Sequence, residues 1–109
     1  MSIALRRNSF VVRFKETLQA VRGYTLTYEG HKMGIYRTEN KSRLYKRKYN
    51  WILVDLESGC AICERARKSY LVEGLEKGTL LNVRKSLDIL DTDFYKAKVE
   101  EFRKLQKGA

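Results

Sequence analysis

The segment from Trp51 to Cys63 restricts the fold more than any other. Trp51-Ile-Leu-Val-Asp-Leu56 is strand-like, Glu57-Ser58-Gly59 supplies a turn, and Cys60-Ala-Ile-Cys63 returns. Ile52 to Val54 is apolar at consecutive positions, which suits both faces of a strand lying inside a sheet. A strand of that kind needs partners, so the chain must build a sheet around it. With no proline in the sequence, glycine must supply the sharp bends.

A second hairpin precedes it. Tyr24, Leu26 and Tyr28 alternate with Thr25 and Thr27, the signature of a half-buried strand. Glu29-Gly30-His31-Lys32 reads as the turn and Met33 to Arg37 as the returning strand. Residues 38–49 are polar and basic and form a long loop or an extended hairpin arm.

The flanks read as helical. Over Ser9 to Arg22, Phe10, Phe14, Leu18 and Val21 recur at helical spacing, Ser9 caps and Gly23 stops the helix. The β-branched pair Val11 and Val12 supports a competing strand over residues 9–14, and the helix is preferred. Residues 1–8 are expected to be flexible. Glu64 to Lys77 predicts another helix, interrupted at Gly74 and ended at Gly78. Thr79 caps a segment with Leu80, Val83, Leu87 and Leu90 on one face, and Asp91-Thr92-Asp93 opens a last helix through about Gln106. The expected architecture is α+β. A small antiparallel sheet of two β-hairpins is packed with an N-terminal helix and two to three C-terminal helices, lying on one side of the sheet. Its 109 residues make one domain, 1–109.

Catalytic residue sets are thin. His31 is the single histidine and sits at a solvated hairpin tip, with no nucleophile elbow and no glycine-rich phosphate loop to accompany it. Asp91-x-Asp93 suits a helix cap better than a metal site. Cys60 and Cys63 form a CxxC, but a structural zinc site asks for four ligands. In a strand, residues three apart also point to opposite faces, so the pair reads as packing and only as a weak metal candidate. No enzyme and no cofactor are expected. Two cysteines are too few for a disulfide framework, and no secretory signal or apolar run of about 20 residues is seen. The expected location is the cytoplasm.

The stronger signal is charge. Lys and Arg number 23 against 13 Asp and Glu, a formal +10. The excess is concentrated before Cys60, with 12 basic against 5 acidic side chains there and 11 against 8 from Cys60 onward. The densest run holds Lys41, Arg43, Lys46, Arg47 and Lys48, interleaved with or followed by Tyr45, Tyr49 and Trp51. Arg65, Arg67 and Lys68 form a second cluster that the hairpin brings back towards Asn50. Cations grip phosphate and aromatics stack on unpaired bases, so an anionic partner is expected: DNA, RNA, a nucleoprotein or an acidic protein surface. A membrane surface is not, because no helix joins a broad apolar face to a uniformly basic one. A homodimer would bury the Tyr95, Val99 and Phe102 seam, and so would the chain's own sheet.

The middle of the chain also resembles short accessory proteins of bacteriophages and mobile elements. The likeness runs over residues 9–68, through Gly23-Tyr-Thr-Leu-Thr-Tyr-Glu-Gly30, Gly34-Ile-Tyr36 and Trp51-Ile-Leu-Val-Asp-Leu-Glu-Ser-Gly59. It implies a non-enzymatic binder of a host or phage machine in a bacterial host cell. Anti-CRISPR inhibitors of RNA-guided nucleases are one such class. No catalytic residues carry over.

Overall fold

A computed structural model describes residues 3–14, 17–39, 49–89 and 92–107. Five strands come first: β1 (Arg6–Phe14), β2 (Thr17–Tyr28), β3 (His31–Glu39), β4 (Tyr49–Asp55) and β5 (Ala61–Arg65). Three helices follow: α1 (Lys68–Lys77), α2 (Leu81–Ile89) and α3 (Asp93–Lys107). The strands form one antiparallel sheet in chain order, so every neighbour in sequence is a neighbour in space.

The expected N-terminal helix is therefore corrected. Residues 9–14 and 17–22 are strand, paired antiparallel between β1 and β2, with Phe10 opposite Val21 and Val12 opposite Gln19. Phe10 and Phe14 are spaced by four, and four is both a near-turn of helix and an even step along β1, whereas Leu18 falls on β2 opposite Arg13. Pairing of β2 with β3 decides between the two readings, and the β-branched residues fit the pleat. Gly23 is not a helix stop but an interior β2 residue opposite Tyr36. Of the expected flexible segment 1–8, the described residues 3–8 are not a loose tail either. Arg6 to Asn8 belong to β1, Ile3 and Leu5 pack against the core, and the Ile3 amide donates to Glu76 Oε1 at 3.1 Å.

Both expected hairpins form. The β2–β3 turn has Glu29 and Gly30 at positive φ, 49° and 82°. His31, expected at an exposed tip, is half-buried and opposes Tyr28. β4 lies inside the sheet, flanked by β3 and β5, and Leu53 and Val54 are buried on opposite pleat faces. The proposed loop or arm at 38–49 is β3 at Thr38–Glu39 and β4 at Tyr49, and its remainder lies outside the described residues.

On one face, Leu26, Met33, Ile35, Leu53 and Cys63 pack with Leu71 and Leu75 of α1, with Leu80, and with Val83 of α2. Gly74 does not interrupt α1. It is buried, and a side chain there would overlap Leu80. Gly78 ends α1 at φ 67°, donating to Leu75 O while Thr79 donates to Gly74 O. The opposite pleat face carries Phe10, Val12, Gly34, Tyr36 and Val54, by the registers of the first three pairings. Val12 and Val54 are buried there, so the sheet is buried on both faces rather than one. Val99 and Phe102 of α3 are also buried outside the α1–α2 cluster, with Phe102 against Gly59. The Val99 and Phe102 part of the α3 seam is thus covered within the chain. Among the described residues no helix is long and apolar enough to cross a membrane.

Candidate functional site

The sheet register assembles a surface from all five strands. Arg7 opposes Tyr24 across β1–β2, and Trp51 of β4 is flanked by Arg37 of β3 and Arg65 of β5. The pleat sets all five on the face that carries Ile35 and Leu53, because opposed residues share a face and alternate ones repeat it. At the Ile35 end this face is covered by α1 and α2. At the other end the helical cover stops at Lys68, the first residue of α1.

Lys68 sits over the aromatic floor. Its Nζ is 4.0 Å from the centroid of the Tyr24 ring and 5.9 Å from that of Trp51, and the two rings are 6.5 Å apart at 42°. Arg7, Arg22, Tyr24, Arg37 and Trp51 line a concavity of about 670 Å³ beside it. At its margin the Arg37 guanidinium stacks 4.2 Å from the Tyr49 ring, and Tyr49 is 43% exposed. Such stacking occupies the plane of a guanidinium and leaves its edge N–H groups to donate.

The electrostatics are one-sided. Among the described residues, none of Arg7, Arg22, Arg37, Arg65, Arg67 and Lys68 forms an ion pair; the pairs present join Glu101 to Arg13 and Lys98. Glu64 opposes Ile52, on the other pleat face, and accepts from Asn50 Nδ2. Glu39 takes the register position opposite Tyr49. α1 has no side-chain cap and no carboxylate in its first turn, so its positive end adds to the field. The phenol of Tyr24 registers that field. Interaction of its hydroxyl with Arg7, and next with Lys68, lowers its pKa below the ordinary 10.0.

Of the sequence candidates, Tyr49, Arg65 and Lys68 come together here. Arg67 precedes α1, with its guanidinium 5.8 Å from the Tyr70 ring. Lys41, Arg43, Tyr45, Lys46, Arg47 and Lys48 lie outside the described residues. Arg7, Arg22, Tyr24 and Arg37 were not anticipated. Reading Thr17 to Tyr28 as a single strand would have set Arg22 and Tyr24 on one face, but Arg7 reaches them only through pairing.

The other candidates separate from this surface. Cys63 is buried in the core, where burial raises its pKa, and Cys60 lies in the β4–β5 turn with its thiol 3.7 Å from Ser58 O. Asp93 sits in the first turn of α3, and the Tyr95 amide donates to Thr92 Oγ1 at 3.3 Å. Asp91 lies outside the described residues. Ser58 is 2% exposed and its hydroxyl donates to Asp55, which closes it off from solvent. Comparison with protein families, curated proteins and solved structures finds no match to this chain.

Proposed function

We propose that the protein is a non-enzymatic nucleic-acid binder that works through the Arg7, Arg22, Arg37, Arg65, Arg67 and Lys68 surface. The observation carrying this reading is that five cations, Arg7, Arg22, Arg37, Arg65 and Lys68, gather around Tyr24 and Trp51 with Arg67 next to them in the chain, none of the six paired with a carboxylate among the described residues. Cations whose internal partners are rings or a backbone carbonyl, with no carboxylate to neutralise them, favour an external polyanion, and repulsion among them is relieved when phosphates arrive. The aromatic floor between them matches bases better than it matches an acidic peptide.

The test is fluorescence anisotropy with labelled DNA and RNA, single-stranded and duplex, at about 50 mM salt, where phosphate contacts are strong. Binding is expected, with log K falling against log salt. Were all six cations on phosphate, the slope would reach roughly −4 on single strands and −5 on duplex as upper bounds. Replacing Arg7, Arg22 and Arg37 by Ala should flatten it. No binding to any of the four probes overturns the reading.

A further inference from the structure

We infer that the strand this surface takes is unpaired, with bases stacked on the Trp51–Tyr49 margin and phosphates on the guanidinium groups around it. The inference rests on the nucleic-acid reading above and goes beyond it by naming the form of the ligand.

Three observations carry it. First, the aromatics lie among the cations rather than apart from them. Trp51 has Arg37 and Arg65 as its cross-strand neighbours, and Arg37 also covers one side of Tyr49. Second, the rings are not sealed into the core. Tyr24 and Trp51 are half-buried and line the open concavity, and Tyr49 is 43% exposed. Third, the site is a hollow in a sheet, about 670 Å³, with charged walls and an aromatic floor. That volume lies in the range of sites that enclose small organic groups.

Duplex geometry does not use such a surface. Inside a duplex each base has both ring faces covered by its neighbours, so a protein aromatic has nothing to stack on. Double helices are read by an element that protrudes into a groove, and among the described residues the hollow offers none. A single strand presents free ring faces, and aromatics interspersed with cations hold base and phosphate together. Trp51 and Tyr49 stand two residues apart on one face of β4, about 7 Å along the strand, a spacing that lets successive splayed bases reach both.

Trp51 is the single tryptophan of the chain, so intrinsic fluorescence reports on this position alone. The experiment titrates the full chain with an oligothymidine of about 12 nucleotides and, separately, with its duplex with oligoadenosine. Anisotropy and Trp51 emission are followed at equal salt. The expected result is at least ten-fold tighter binding of the single strand, with Trp51 emission quenched by it and unchanged by the duplex. Tyr49→Ala, at an exposed position, should weaken single-strand binding roughly five-fold or more and leave duplex binding unchanged. Trp51→Phe keeps a ring in place and should retain most of the affinity. Duplex binding as tight as the single strand overturns the inference and leaves the nucleic-acid reading standing. Single-strand binding without quenching, and indifferent to Tyr49→Ala, overturns the stacking. Failure of both probes to bind at about 50 mM salt overturns both readings.

Discussion

Tyr95 donates its hydroxyl hydrogen to Asp55 Oδ2 across 2.6 Å, tying the first turn of α3 to the end of β4. Asp55 is 4% exposed, and the same oxygen accepts from the Ser58 amide at 3.1 Å and the Ser58 hydroxyl at 2.7 Å. Three donors on one carboxylate oxygen let a charge stand in the interior beside the β4–β5 turn. Tyr95→Phe removes one donor and leaves the two from Ser58. A hydrogen bond to a charged group contributes about 1.5–3 kcal/mol, and the two remaining donors put the expected loss near the lower figure. Urea unfolding should show it as a lower midpoint with an unchanged slope.

The same bond gives the fold an alkaline limit. Burial first, and then the hydrogen bond to Asp55 and its charge, raise the Tyr95 pKa well above the ordinary 10.0. A folded-state pKa above the unfolded one means the stabilisation is complete below pH 10 and is lost as pH rises past it. Urea midpoints taken from pH 8 to about 12 should fall above pH 10 in the parent chain. The fall should be shallower in Tyr95→Phe, and the difference between the two curves isolates this group from the lysines. Parallel curves would show that Tyr95 ionisation is not coupled to folding.

Most of the second half of the chain was legible because its signals are local, although Glu64 and Arg65, expected in the helix running to Lys77, end β5 and the helix starts at Lys68. The run through Leu53 and Val54, the turn glycine Gly59 and the helix-ending Gly78 each act within a few residues of their effect. The segment from Ser9 to Arg22 was not. Phe10 and Phe14 satisfy both periodicities, and only pairing with β3 makes Thr17–Tyr28 a strand. The site divides the same way. Arg65 and Lys68 were found as a sequence cluster beside a hairpin, whereas Arg7 meets Tyr24 through a register that no short window contains.

Gly23 supports that register sterically. A Cβ there would overlap the Ile35 carbonyl oxygen, a backbone atom fixed by the sheet, so the strands themselves must part to admit it. Gly23→Ala is expected to cost about 3 kcal/mol, which for a domain of this size lowers Tm by roughly 12 °C or more. Gly34→Ala is the informative contrast. Its Cβ would meet the Phe10 ring at 2.7 Å, and a ring can move where a carbonyl cannot. A loss of about 1–2 kcal/mol is expected there. Thermal unfolding of both variants checks the order, and a Gly34→Ala loss exceeding that of Gly23→Ala would contradict the backbone clash.

Tyr24 offers a direct gauge of the cationic surface. Arg7 and Lys68 hold its phenol below the ordinary 10.0 by favouring the phenolate. Arg7→Ala and Lys68→Ala should each move that pKa upward. A phosphate strand lying on the same cations opposes the phenolate and should raise the Tyr24 pKa as well. Linkage then makes the effect reciprocal: as pH rises through the Tyr24 pKa, the phenolate appears among the cations and binding weakens. The measurement is an NMR titration of ring-labelled tyrosine, with the Tyr24 signal assigned by its absence in Tyr24→Phe. It is run with and without a saturating oligonucleotide. Upward displacement on binding puts the polyanion beside Arg7 and Lys68, and an unmoved Tyr24 in a bound complex puts it elsewhere.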